Sequence, residues 1–140
     1  RRHVRDGRPR YAVGQERGQA IAGAFLNASR SGDVAALRDL LAADVVVHSD
    51  GGGKRVAALK PVVGADRAAR FFVHWAGKAG FRPARIVHAG LVDGLPGYVT
   101  EEADGLQVTA LDIRDGRITA IYVVRNPDKL GHVGAFIAGL

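Results

Sequence analysis

His48 and Asp50 stand two positions apart in the run DVVVHSD, residues 44–50, and with Val46 they fall on one face of an extended chain. A carboxylate beside an imidazole can orient the ring for proton transfer. The same pattern fits a histidine at a sheet edge followed by a loop aspartate, and both readings stand. Asp112 lies between Leu111 and Ile113, where an apolar setting would raise its pKa and make it an acid. Equally, it could face solvent opposite an arginine such as Arg117. Glu101 and His74 complete the candidates for acid–base work. The five histidines, His3, His48, His74, His88 and His132, show no short ligand spacing, and there is no cysteine, so neither a metal nor a cofactor is expected. No Ser-His-Asp signature or strained nucleophile elbow is present. Phe71, Phe72 and Trp75 recur at helical spacing and read first as core. Should the fold enclose a pocket, His48, Trp75, Asp112 and Tyr122 are the residues expected to line it.

Two loops carry the remaining unusual chemistry. Asp50-Gly51-Gly52-Gly53-Lys54 allows close backbone approaches that only glycine permits. Its spacing does not fit a nucleotide-binding P-loop, and residue 55 is an arginine where that motif needs a hydroxyl. A turn between strands and a docking loop for another protein surface remain as readings. Asn126-Pro127-Asp128-Lys129-Leu130 forms a strand-to-helix corner: proline keeps Asn126 out of the helical region and itself suits a first helical turn. The corner directs Asp128 and Lys129 outward.

The elements that must position these residues follow from periodicity and punctuation. Ala20, Ile21, Ala24, Phe25 and Ala28 form a helical stripe that ends near Ser31-Gly32. Asp33 suits the N-cap of a second, short helix with Val34, Leu37, Leu40 and Leu41 inward. Residues 44–50 read as a strand, a short extended piece ends at Val63, and residues 64–80 read as a third helix. Strands are then expected over 85–92, 98–103, 106–114 and 117–125. The turns fall at Asp93-Gly94 with Pro96-Gly97, at Asp104-Gly105 and at Asp115-Gly116. A short helix over about 128–137 closes the chain. Helices grouped before an antiparallel meander predict an α+β fold, a cone-shaped curved antiparallel sheet packed against three N-terminal helices.

With 140 residues, 47% of them hydrophobic and 24% charged, the chain has room for one core. No run approaches the ~20 apolar residues that cross a bilayer, and no signal peptide is visible, so the cytoplasm is expected. Five arginines and one aspartate fall in the first ten residues, which therefore carry four of the six net positive charges. A basic arm on a nearly neutral body is either a solvated tail or the remnant of a neighbouring nucleic-acid-binding unit. Gly7 and Pro9 interrupt any helix entering from upstream, which divides the chain into 1–14, a helix end plus linker, and 15–140, the domain proper. The chain begins at Arg1 and not at Met, so the start of translation is expected elsewhere.

The combination of HSDGGGK (48–54), VRNPDKL (124–130) and the leading RRHV resembles one group of extracytoplasmic-function RNA polymerase sigma factors. These carry a C-terminal SnoaL-like domain of the nuclear-transport-factor-two-like superfamily, and the resemblance spans essentially the whole chain. It implies the cone with three helices already read from periodicity. It also implies a regulatory domain, not an enzyme, that modulates sigma activity in transcription initiation through intramolecular contacts, with small-ligand sensing as a further role. Asp50, Gly51, Gly52, Gly53 and Lys54, with Asn126, Pro127, Asp128, Lys129 and Leu130, match the motifs of this group and are implied as contact residues. Arg1 and Arg2 are implied at the tail of a promoter-binding helix, close to nucleic acid. Implied partners are the other domains of the same sigma factor, the RNA polymerase core, and promoter DNA reached through upstream domains; no membrane is involved, and the isolated domain is expected to homodimerise. The alternative is a stand-alone SnoaL-like polyketide cyclase or isomerase. Cyclase relatives use a pocket aspartate and histidine, a pair that His48, Asp50 and Asp112 do not reproduce as one clear motif.

Overall fold

In a computed structural model, residues 8–50, 60–78, 85–102 and 105–125 are described; of 8–13 and 76–78 only the backbone is. The first helix, α1, runs from Arg8 to Ser31. It begins earlier than the expected Gln15 because Pro9 sits in the first turn, where a missing N–H costs nothing. Its buried face is also rotated from the expected stripe. Gly18, Ala22, Phe25 and Ala28 turn inward, whereas Ala20 and Ala24 are exposed. Gly32, at φ 72°, closes α1 with two backbone bonds, Gly32 N–H to the Ser29 carbonyl and Asp33 N–H to the Ala28 carbonyl. Asp33 in turn caps α2 (Val34–Leu40), its carboxylate accepting from the Ala36 N–H at 3.0 Å. One glycine and one aspartate thus fix the corner between two helices.

The strands are β1 (Leu41–Asp50), β2 (Val62–Val63), β3 (Arg85–Val92), β4 (Leu95–Glu102), β5 (Gly105–Arg114) and β6 (Arg117–Val124), with α3 (Ala65–Lys78) between β2 and β3. They form a six-stranded sheet in the order β2-β1-β6-β5-β4-β3. β3 to β6 make the antiparallel meander, joined at two described turns by Asp93-Gly94 and Asp115-Gly116. All four of these residues have positive φ, as type I′ turns demand. Pro96 and Gly97, expected in a turn, lie instead within β4, because Asp93-Gly94 alone completes the reversal. The sheet is mixed and not wholly antiparallel: β1 lies parallel to β6, with Val46 beside Ala120 and Asp50 beside Val124. Register shifts in β1, β3 and β5 bend these strands. The closing helix expected over 128–137 lies outside the described residues, as does the Asp104 turn position.

All three helices pack on one sheet face. Phe25 of α1 is buried at the centre, edge-on to Phe72 of α3 with ring centroids 4.9 Å apart, over Val45, Val47, Leu111, Ile118 and Ile121. Burying a side chain of this size contributes about 1.5–3 kcal/mol. The Gln19 side-chain amide donates to the Gly97 carbonyl at 2.8 Å and ties α1 to β4. Among the described residues no helix is long and apolar enough to cross a membrane.

Candidate functional site

Strand alternation sorts the side chains of the meander onto two faces. Tyr98, Thr100 and Glu102 of β4 point to the helix side, as do Gln107 and Thr109 of β5, which pair with Thr100 and Tyr98. Polar groups on the face that also holds the core must find one another. The Thr100 hydroxyl donates to Glu102 Oε2 at 2.6 Å, and Gln107 Nε2 approaches Thr109 Oγ1 at 3.5 Å. Arg125, one residue beyond β6 and 8% exposed, donates from its guanidinium to Gln107 Oε1. Its guanidinium carbon stands 5.3 Å from the centroid of the Trp75 ring on α3. Phe71 packs edge-on against the same indole.

The result is a row of hydrogen-bonding groups from Tyr98 to Arg125, walled on the helix side by aromatic rings. Burial pushes the Tyr98 phenol far above its ordinary value, and Glu102 adds to that; a side-chain bond to Thr109 and the charge of Arg30 act in the other direction. Tyr98 is therefore a fixed neutral group. Glu102 is the one carboxylate and Arg125 the one guanidinium among the six residues of the row.

Of the four residues expected to line one pocket, His48 and Tyr122 meet, Asp112 shares their face, and Trp75 lies on the other side of the sheet. His48 is exposed on the sheet face away from the helices and stacks on Tyr122, its register partner across β1 and β6, at 5.2 Å and 9° between planes. Val45 and Val47 take the inward positions of β1, so period two sends His48 outward. Asp112 lies on that same outer face, its carboxylate 3.6 Å from Arg114 and not beside Arg117. Trp75 alone stands on the helix side. His74 is exposed on α3, His88 reaches the Leu91 carbonyl on edge strand β3, and Glu101 pairs with Arg85 at 2.8 Å. Among the described residues no three His, Asp or Glu side chains converge as a metal site would require.

Of the two motif segments, only Asp50 is described; Gly51, Gly52, Gly53, Lys54 and Asn126, Pro127, Asp128, Lys129, Leu130 lie outside the described residues, as do Arg1 and Arg2. Their points of departure are well defined. Asp50 ends β1 beside Val124, and its carbonyl accepts from the Arg125 N–H at 2.6 Å. Sequence reasoning missed Arg125, Gln107, Tyr98, Thr100, Glu102 and Thr109. The visible signal was the alternation of polar residues at 98, 100 and 102 and again at 107 and 109 within apolar strands.

The profile of the SnoaL-like domain matches residues 22–121. The chain belongs to the SnoaL-like family. A curated relative, the ECF RNA polymerase sigma factor SigJ of Mycobacterium tuberculosis, is 31% identical over 117 residues, 78% of this chain and 38% of that protein. The SnoaL-like chain therefore spans well under half the length of this relative. The crystal structure of the same sigma factor superposes with a TM-score of 0.67 at 28% identity, covering 89% of this chain and 47% of the other. A putative polyketide cyclase from Sinorhizobium meliloti has a TM-score of 0.56 at 20% identity, over 74% of this chain and 93% of the other. An LEH-like epoxide hydrolase of M. tuberculosis has a TM-score of 0.56 at 18% identity, covering 86% of each chain. These last two share the fold alone.

Proposed function

We propose that this SnoaL-like chain is the C-terminal regulatory domain of an extracytoplasmic-function sigma factor. Its partners are the promoter-recognition domains of the same protein and, through them, RNA polymerase core and promoter DNA, in the cytoplasm. Residues 1–14 are the end of the promoter-binding helix and its connection, with Arg1 and Arg2 near the nucleic acid. Residues 50–54 and 126–130 are the contact surface. The observation that carries this reading is the parallel pairing of β1 with β6, which starts both motif segments from adjoining strand ends. Two segments that leave adjoining strand ends can serve one partner surface. The likeness to SigJ supports the same assignment. The polar row from Tyr98 to Arg125 is the seat of a small ligand, which would act by favouring one arrangement of the sigma domains.

Reconstituted transcription with the protein carrying its upstream region tests the docking role. Lys54→Ala and Asp128→Ala are expected to change transcript yield several-fold while leaving the melting curve of the domain in place. Unchanged yield from both variants would refute it. The alternative, a SnoaL-like enzyme, would have to use groups other than His48 and Asp112. His48 and Asp112 lie on the outer face, and no described histidine faces the row.

A further inference from the structure

Arg125 belongs to two places at once. Its guanidinium is held inside the row by the Gln107 side-chain carbonyl and by the face of Trp75. Its backbone N–H, at the end of β6, is held by the carbonyl of Asp50 at the end of β1. The chain continues from Asp50 into Gly51 and from Arg125 into Asn126, so this one backbone bond joins the roots of both motif segments. A buried guanidinium is costly unless well bonded, and an apolar residue would seal a strand end more cheaply. Its presence here links the row, through a planar fork and the arginine stem, to the roots of both segments.

We propose that Arg125 is the positioning residue that couples the state of the polar row to the junction of β1 and β6. The coupling is mechanical. Any group that draws the guanidinium off Gln107 or off Trp75 changes the side-chain torsions of Arg125 and loads the bond between its N–H and Asp50. Carboxylate oxygens do this best, because charge-assisted bonds to a guanidinium are roughly twice as strong as neutral ones. The inference rests on the regulatory reading for its purpose, although not for its physics.

Hydrogen exchange of single amides in the 140-residue chain tests it. Gln107→Leu removes one hydrogen-bond anchor and Trp75→Leu the aromatic contact. In each, exchange at the Arg125 amide is expected to accelerate about tenfold relative to the amides of Leu111 and the other central residues of β5. A purely supporting side chain would speed all of these amides together, and that outcome overturns the proposal. So does an unchanged Arg125 rate. Should neither leucine variant fold, Arg125→Lys gives the same reading, since lysine keeps the charge and the stem but lacks the fork. Transcription by the protein with its upstream region separates the two claims. Local loosening at Arg125 with normal transcription leaves the coupling standing and counts against the regulatory function instead.

Discussion

Tyr98 shows how a single residue in the row behaves unlike its free counterpart. Its phenol is buried against Thr109 and close to Glu102, and the folded protein holds the proton well past the ordinary value of 10.0. The unfolded chain releases it near that value. Between the two, the native state binds more protons than the unfolded state, so stability falls as pH rises. Below pH 10 this residue contributes no pH dependence; above it, the loss approaches about 1.4 kcal/mol per pH unit. Urea denaturation at pH 9 and at pH 11 should show Tyr98→Phe losing less stability than the parent over that interval. Equal losses would mean that the phenol is not sequestered. The row itself was only half legible from sequence. Polar residues at period two in 98–102 and 107–109 mark one face of each strand, but which face meets the helices depends on pairing, and the pairing depends on a β1–β6 contact between distant segments. Both readings of His48 and Asp112 stayed open for the same reason, because a residue's type does not reveal the side of the sheet to which it points; the structure puts both on the outer face.

Elements were far easier to read, since their signals are local. The two described Asp-Gly turns, the Asp33 cap and the helix α3 reappear because each is fixed by residues within a few positions. The misreadings came where a local signal had two meanings. Pro96-Gly97 is turn chemistry in isolation, yet in β4 it serves close packing: Pro96 touches α1 at Gly18, and Gly97 lies so near the Thr109 carbonyl of β5 that an added Cβ would overlap it. Gly97→Ala must push two strands apart, at a cost of about 1–3 kcal/mol. Gly23 makes the opposite case, an exposed glycine inside α1 with nothing within 4 Å of a built Cβ. Gly23→Ala should stabilise by about 0.5–1 kcal/mol through helix propensity and the entropy of the unfolded chain. Thermal melts of the two variants are therefore expected to shift in opposite directions. A harmless Gly97→Ala would show that β4 and β5 lie further apart than described.

For the molecule as a whole, the decisive contact is the non-local one. The meander is knitted by two-residue turns, whereas Val46 and Ala120, which pair across β1 and β6, stand 74 positions apart. Closing so long a loop costs entropy before any pairing repays it. The meander should accordingly form early and β1 dock late. Val99 lies in β4, is buried and pairs with Val108, so it reports on the meander alone. Val47 is buried in β1 between Val62 and Ile121 and reports on docking. Refolding kinetics of Val99→Ala and Val47→Ala should give φ-values above about 0.5 and below about 0.3, respectively. That order bears on the proposed regulatory role. The last contact to form is a natural first contact to loosen, and the β1–β6 junction carries the roots of both motif segments and the backbone of Arg125. A domain built this way can alter the strand ends at Asp50 and Arg125 while its meander and helical core stay intact. A high φ-value at Val47 would place the junction in the folding nucleus, and the strand ends at Asp50 and Arg125 would then belong to the most persistent part of the fold.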